Sequence, residues 1–307
     1  MNYSLHQLAI YLKIVETRSV TKTAEIMHLT QPAVSIQLKN FQNQFEVPLF
    51  EVINKKIFIT DFGKEIASSA ENILNEVNQI DYRLMKFKGA ITGTLKISSV
   101  STGKYVIPYF LSDFLIKNEG VELRLDVSNK SKVIECLGKN ETDFALVSIL
   151  PSHLKLNRIE LMPNALYLVG NGKSPYGKES MNKTLLETLP MIYREEGSAT
   201  RMTMERFIDK SRISVRKKIE LTSNEAVKQA VMAGIGYSIM PIIGIRNELQ
   251  NKQIKIIPVK GLPLKTTWNL IWLKSKKLSP VAKSFIEALE KDKLQCIQKH
   301  FSWIEGI

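Results

Sequence analysis

The sequence has few of the residues that form disulfides and metal sites. Its 307 residues include two cysteines, Cys136 and Cys296, and four histidines. Both cysteines lie on predicted helices of a chain expected in the cytoplasm, so we expect buried thiols rather than a disulfide. No two histidines stand at a spacing typical of metal ligands. The sequence therefore predicts no metal and no cofactor.

Long apolar runs and catalytic motifs are also missing. No stretch of about 18 uncharged apolar residues is present, so no membrane-spanning helix is expected. Residues 1–4 lack the basic and apolar regions of a signal peptide, which favours a cytoplasmic protein. The Gly-x-Ser-x-Gly motif is absent, and residues 170–174 resemble a phosphate loop only at their end, because Tyr167 stands where that motif needs glycine. We therefore expect no enzyme.

Positive charge is abundant but unevenly placed. The net charge is +13, and residues 173–307 carry 24 Lys and Arg against 13 Asp and Glu. Residues 1–60 carry six Lys and Arg against four Asp and Glu, and residues 61–172 carry 13 of each charge. This excess favours either an anionic ligand or a solvated basic surface; charge runs are more often solvated surfaces.

A pair of short helices is predicted between Ser19 and Phe45. Thr21 is the expected cap of the first helix, which would turn Ile26 inward. Thr30 is the expected cap of the second, since a threonine before a helix can accept a backbone N–H. Gln31 and Pro32 follow in its first turn, where proline is tolerated because that N–H has no helical partner.

The second helix has two distinct faces. An apolar stripe at helical spacing predicts its buried side, formed by Val34, Leu38, Phe41 and Phe45. Compact polar groups on the other side suit base edges and phosphates when a helix lies in a major groove. An ordinary amphipathic helix pair is the alternative. The candidate DNA-binding residues of the pair are Thr21, Thr30, Gln31, Pro32, Ser35, Gln37 and Lys39.

The run of residues 30–35, Thr-Gln-Pro-Ala-Val-Ser, resembles the start of the recognition helix in LysR-type transcriptional regulators, and residues 19–25 do so too. The resemblance covers essentially the whole chain and is most specific at the N-terminus. It implies an α/β protein with an N-terminal winged helix-turn-helix, a long linker helix and a two-lobed effector domain like periplasmic solute-binding proteins. The predicted domains are residues 1–60, 61–88 and 89–307.

A short hairpin is predicted after the helix pair and would form the wing. Residues 51–60 alternate in the manner of two strands, with Asn54, Lys55 and Lys56 at the tip. Related regulators usually carry arginines in this wing, whereas this one has lysines. We expect Lys55 and Lys56 to contact phosphates, which adds salt-dependent affinity without base readout.

A long helix is predicted from Asp61 to about Phe87. Its apolar residues repeat at intervals of four and three, which is typical of a seam that pairs with another helix. We expect a homodimer through this seam; packing onto its own C-terminal domain is the alternative. The expected dimerisation residues are Phe62, Ile66, Ile73, Val77, Ile80 and Leu84.

Beyond residue 92, strand-like and helical runs alternate, which predicts a mainly parallel sheet with helices on both faces. Segments 165–169 and 268–273 are expected strands. The resemblance implies two lobes joined by crossover strands. We expect the first lobe at about 92–163 and 267–307, and the second at about 164–266.

Ligands of open α/β sheets bind beyond the carboxyl ends of strands, at helix N-termini. Three such points carry polar side chains, and by the resemblance they face the cleft between the lobes. Ordinary helix capping is the alternative for each. Arg194 and Arg201 favour an anionic ligand through paired donor geometry. The candidate effector-binding residues are Ser99, Ser101, Thr102, Ser148, Arg194, Ser198, Thr200 and Arg201.

The sequence thus predicts a cytoplasmic LysR-type regulator that binds promoter DNA and a small, anionic effector, as a homodimer or tetramer. A solute-binding or catalytic protein with the same two-lobed fold is one alternative, which the helix pair argues against. A nonspecific architectural DNA protein is another, and the weakly charged residues 1–60 argue against it.

Overall fold

The computed structural model describes residues 3–54, 56–87, 91–176 and 181–306. The chain divides into two compact units, Met1–Ala90 and Ile91–Ile307. The predicted boundary at residues 88–89 lies outside the described residues. Within the described ranges, no helix has the length and apolar character needed to cross a membrane.

The first unit is a winged helix-turn-helix followed by one long helix. Its elements are α1 (Leu5–Thr17), α2 (Val20–Ile26), α3 (Gln31–Gln42), β1 (Phe50–Ile53), β2 (Lys56–Ile59) and α4 (Asp61–Phe87). The strands pair antiparallel, with Val52 opposite Ile57. Asn54 at the turn has a φ of 50°, in the left-handed region that asparagine tolerates.

Capping residues define where the two short helices begin. The Thr30 hydroxyl accepts the N–H of Ala33, as predicted. The prediction that Thr21 caps α2 is wrong, because Ser19 does so by accepting the N–H of Lys22. Ser19 has extended backbone angles, whereas Thr21 already lies in the first turn of α2.

The core of the first unit lies between α1, α3 and the start of α4. Val34, Leu38 and Phe41 are buried there, as predicted, and Phe45 packs at the edge. Ile26, predicted to point inward, is instead 51% exposed, because Ala24 and Thr23 fill the buried side of α2.

The first turns of α4 belong to this same core. Ala67 and Ala70 are buried in it, and Phe62 and Ile66 pack against it. Phe62 and Ile66 therefore have apolar partners within their own unit, which argues against their predicted role in pairing with a second copy. Farther along, Ile73 and Ile80 are exposed by 40% and 67%.

The second unit is built around one mixed sheet with helices packed against it. Its strands are β3 (Thr92–Val100), β4 (Gly120–Ser128), β5 (Phe144–Val147), β6 (Leu156–Asn171), β7 (Met191–Arg194), β8 (Lys217–Leu221), β9 (Ser238–Pro241), β10 (Ile254–Ile256) and β11 (Leu264–Leu273). Its helices are α5 (Ile107–Lys117), α6 (Lys130–Gly138), α7 (Leu185–Thr188), α8 (Ala199–Ser211), α9 (Asn224–Met232), α10 (Arg246–Gln250) and α11 (Pro280–Phe301).

The sheet has the strand order β10-β6-β11-β5-β3-β4, with β9 also paired to β6 and with β7 and β8 forming a separate pair. The strands β3, β4 and β5 are parallel, as predicted. The prediction of a mainly parallel sheet is nevertheless wrong, because β6 and β11 run antiparallel to each other. The chain leaves the first part of the sheet along β6 and returns along β11, so these two long strands run in opposite directions.

Separate apolar cores lie at either end of these crossover strands. One holds α5, α6, α11 and the strands β3 and β5. Within it, Phe285 of α11 packs against Phe114 and Phe144, with ring centroids 5.4 and 5.8 Å apart. Two further clusters hold α8, α9 and the strands β7 and β9. The two-lobed α/β architecture predicted from the sequence is thereby confirmed.

Candidate DNA-binding and effector sites

The polar face of α3 is open to solvent. Gln31, Ser35 and Lys39 are exposed, and Gln37 is half-buried. Thr30 and Pro32 at the start of the helix are also exposed. Because Gln31, Ser35 and Lys39 are spaced four residues apart, they form one polar surface along the helix.

This surface faces a concave groove of about 440 Å³. Three elements line it: the start of α2, the polar face of α3 and the hairpin. The groove brings Thr21 next to the α3 residues, and it adds two residues that the sequence analysis missed, Arg18 and Ser19. Arg18 directly precedes the helix cap, which was the available signal. The lining residues are Arg18, Ser19, Val20, Thr21, Gln31, Ser35, Leu38, Lys39, Gln42, Phe50, Val52 and Ile57.

The wing carries one described lysine near its tip. Lys56 is exposed at the start of β2, while Lys55 lies outside the described residues. Val52 and Phe58 on the two wing strands are exposed by 62% and 45%. The wing therefore presents apolar side chains as well as the predicted positive charge.

In the second unit, serine and threonine side chains lie at and after the ends of β3 and β5, and their surroundings differ. Ser99 is fully buried, and its hydroxyl donates to the carbonyl oxygen of Val100 at 3.1 Å. Thr102 is 5% exposed, and its side chain makes no capping hydrogen bond at the short 3-10 turn that follows. Ser101 and Ser148, which follow β3 and β5, are half-buried. Helix capping, the alternative function considered for these side chains, therefore does not explain Thr102.

The start of α8, in the other lobe, also has buried hydroxyl groups at a helix N-terminus. Ser198 occupies the N-cap position but makes no side-chain capping bond. Ser198 and Thr200 are exposed by only 3% and 8%. Their hydroxyl groups are thus held near a helix N-terminus, where backbone N–H groups and the helix dipole favour negative charge.

The two candidate arginines are already occupied by carboxylates. Arg194 forms paired hydrogen bonds with Glu195 at 2.8 and 2.9 Å. Arg201 contacts Glu205 at 2.6 Å and Glu220 at 2.8 Å, and the Glu205 hydrogen bond is the largest effect raising its pKa. Glutamates thus already neutralise both guanidinium groups, which argues against the prediction that they bind an anionic ligand.

Polar contacts join the two lobes beside these helix starts. The N–H of Ser131 on α6 donates to the carbonyl oxygen of Gly197 at 3.3 Å. Tyr105 donates to a carboxylate oxygen of Glu225 on α9 at 3.4 Å, and burial raises the pKa of Tyr105. Helix N-termini from both lobes thus meet across one cleft.

Buried polar atoms without a hydrogen-bond partner in the described ranges mark the crossover strands. On these strands they are Oδ1 of Asn164 on β6, and Nε1 of Trp268 and Oδ1 of Asn269 on β11. Both amide atoms of Asn224, at the start of α9, belong to the same group of atoms. Such atoms are rare in folded proteins, because burying them without a partner costs about 1–3 kcal/mol. Sequence reasoning missed them, since neither local spacing nor composition shows where two distant strands meet.

The described residues contain no group of three or more His, Cys, Asp or Glu side chains placed to hold a metal ion. Their site chemistry is that of hydroxyls, amides and cations. A winged helix with an exposed polar helix, together with a two-lobed α/β domain, defines the class of DNA-binding transcription regulators.

Comparison with known proteins identifies the family. Residues 5–64 match the family model "Bacterial regulatory helix-turn-helix protein, lysR family", and residues 88–293 match "LysR substrate binding domain". The transcriptional activator CmpR of Synechocystis is 35% identical over 291 residues, which cover 94% of this chain and 95% of CmpR. The chain belongs to the LysR family of transcriptional regulators.

Solved structures agree with this assignment. The regulatory domain of CcmR from Synechocystis, in complex with 2-PG, is 30% identical and has a TM-score of 0.63. It matches 66% of this chain and 98% of that domain. A full-length OxyR variant of Pseudomonas aeruginosa is 19% identical, has a TM-score of 0.73 and covers 96% of each chain, so it supports the fold.

Proposed function

We propose that the protein is a cytoplasmic regulator that binds promoter DNA as a homodimer, or as a tetramer of two such dimers. A small anionic molecule in the cleft of the second unit changes this binding. The observation that carries the proposal is the groove of about 440 Å³, in which residues of α2 and the hairpin face the exposed polar side of α3.

The predicted DNA-binding residues divide into two roles. Gln31, Ser35 and Gln37 have amide or hydroxyl groups suited to base edges in a major groove. Thr21, Thr30 and Lys39 contact the phosphate backbone, as do the lysines of the wing, Lys55 and Lys56. Pro32 fixes the first turn of α3, so that the helix enters the major groove of the DNA at a defined angle.

Dimerisation uses the later turns of α4. Ile73 and Ile80 are seven residues apart and exposed, which places them on one side of the helix. Val77 lies between them and is half-buried. A second copy of the chain covers this stripe, and two recognition helices then read a near-palindromic site.

The effector binds where the hydroxyls of the two lobes converge. Ser101, Thr102 and Ser148 serve it from one lobe, and Ser198 and Thr200 from the other. Ser99 supports this site through its buried hydroxyl. The 2-PG complex of the related CcmR domain supports a small molecule at an equivalent domain. Binding favours one arrangement of the lobes over another and so shifts the population of DNA-binding states.

The test is binding to DNA from upstream of the protein's own gene against scrambled DNA of equal length, at fixed near-physiological salt. We expect a preference of at least about 10³. The double variant Gln31→Ala and Ser35→Ala should lose this preference while keeping its circular dichroism spectrum. The proposal fails if the native DNA is not preferred and genome-wide selection enriches no sequence.

A further inference from the structure

A second cavity lies at the junction of the lobes, on the side formed by α6 and α8. Its volume is about 680 Å³. One side of α6, along its whole length, forms one wall, residues 149–154 after β5 form another, and Met202 and Arg206 of α8 form the third. None of the effector-binding residues predicted from the sequence lines it, so it is a separate feature of the second unit.

Two cations approach this cavity from opposite lobes. Lys130 is half-buried at the start of α6, and its Nζ lies 3.8 Å from the Met202 sulfur. Arg206 stands one turn beyond Met202 on α8. Burial of the Lys130 ammonium group lowers its pKa, and the nearby Arg206 charge lowers it further.

These two cations have no acidic partner in the described part of the chain. Glu135 is the one carboxylate among the lining residues, and it pairs with Lys132 at 3.2 Å and with Lys139. Arg194 and Arg201, by contrast, are each matched by glutamates. The cavity is therefore a local concentration of unneutralised positive charge.

Neutral donors complete the surroundings of these cations. Ser131 follows Lys130 in the first turn of α6, and its side chain lies next to Gly197 of the other lobe. The Asn129 side chain caps α6 by accepting the N–H of Lys132, and the first two residues of this nine-residue helix line the cavity. A helix N-terminus adds favourable partial positive charge for an anion.

We propose that Lys130, Ser131 and Arg206 bind a dianionic phosphate group, either as part of the effector or as a free ion. Two positive side chains with a hydroxyl donor match the charge and the several acceptor oxygens of phosphate. The group bridges the lobes, because Lys130 and Arg206 come from different ones. It thereby replaces their mutual repulsion by attraction and favours the closed arrangement.

This inference rests on the proposed function, and its test uses the full-length chain. Titration calorimetry at constant ionic strength in chloride measures binding of inorganic phosphate and of glycerol 3-phosphate. Lys130→Gln and Arg206→Gln should each weaken binding about tenfold, the usual scale for one charged hydrogen bond. Lys283→Gln is the matched control, since it removes one exposed positive charge from α11.

The outcomes separate the possibilities. Binding of both probes assigns the site to a phosphate ester, and binding of inorganic phosphate alone assigns it to a free ion. The inference is overturned if neither probe binds the wild type, or if the two cavity variants bind as the control does. Without phosphate, both variants should unfold at or above the wild-type temperature, because each removes a repulsion.

Measuring promoter preference on the same proteins distinguishes this failure from that of the proposed function. If the wild-type protein prefers its promoter but does not bind phosphate, the regulator function stands and the phosphate site is overturned. If the protein prefers no DNA sequence, the proposed function is overturned, whatever the calorimetry shows.

Discussion

The hydroxyl of Tyr11 on α1 donates a hydrogen bond to the carbonyl oxygen of Gly63 on α4, with 2.9 Å between the oxygen atoms. Tyr11 is fully buried. Position 63 needs a glycine, because a Cβ there would overlap the carbonyl oxygen of Leu49 and crowd the Tyr11 hydroxyl. The long helix is thereby fixed to the helix-turn-helix by a polar contact inside an apolar core.

Removing this hydroxyl should destabilise the first unit. Tyr11→Phe leaves the ring in place but takes the donor from a buried carbonyl, and we expect a loss of about 1–2 kcal/mol. Urea unfolding followed by circular dichroism measures the change. Tyr109→Phe serves as control, since Tyr109 is 46% exposed. Equal stability of the two variants would contradict the assigned role of the Tyr11 hydroxyl.

The same contact predicts a dependence of stability on alkaline pH. Burial raises the pKa of Tyr11 from 10.0 to about 12. The unfolded tyrosine therefore loses its proton at lower pH than the folded one, and the stabilisation is complete below pH 10 and lost as the pH rises toward 12. Wild type and Tyr11→Phe should differ most below pH 10 and converge above it. Unfolding at pH 8, 10 and 11.5 checks this; a constant difference would refute it.

Gln31 and Lys39 should affect DNA binding in different ways. Lys39→Gln removes one phosphate contact, so affinity for promoter and unrelated DNA should fall alike, and the slope of log K against log salt should decrease by about 0.9. Gln31→Ala should cost about 1–3 kcal/mol of base discrimination and leave that slope unchanged. Fluorescence anisotropy over a salt series measures both. Identical behaviour of the two variants would mean that base and phosphate contacts are wrongly divided between them.

The exposed stripe on α4 should control the oligomeric state. The double variant Ile73→Glu and Ile80→Glu places charges where an apolar contact is proposed, and light scattering should then give the mass of a monomer. Leu294→Glu is the control, because Leu294 is also exposed, by 71%, on α11. A double variant that remains dimeric would show that other surfaces hold the copies together.

Cys296 should react slowly with alkylating reagents. Burial raises the pKa of its thiol to about 11, so almost none is present as the reactive thiolate at pH 8. Cys136 also has a raised pKa, mainly through burial. Both cysteines are free in the folded chain. Iodoacetamide labelling followed by mass spectrometry should be slow in native protein and fast in urea; equal rates would contradict this.

Local signals predicted much of the fold. Thr30 was recognised as a cap because its bond reaches only three residues along the chain. The helix Asp61–Phe87 was found because one apolar period runs through it without proline. The choice of Thr21 over Ser19 was wrong by two residues, although serine is the more favoured N-cap residue. The early part of β6 was missed because Pro163 interrupts it, although that residue takes a regular place opposite Thr267.

The sites were less accessible to sequence reasoning, because they depend on pairs far apart in the chain. Arg201 was expected to meet a ligand, but Glu220 reaches it from β8. Lys130 and Arg206 are 76 positions apart, and only folding brings them to one cavity. Charge patterns of one helix cannot show which opposite charges another element supplies.

The departure along β6 and the return along β11 also set an order of assembly during synthesis. The strands β3, β4 and β5 leave the ribosome early, yet Phe285, which packs against Phe114 and Phe144, emerges about 140 residues later than Phe144. The segment between β6 and β11 is complete before that. The inserted lobe can therefore mature first, while the earlier strands wait with an uncovered apolar surface until α11 arrives. Nascent chains halted before Pro280 should accordingly need chaperone protection more than completed ones.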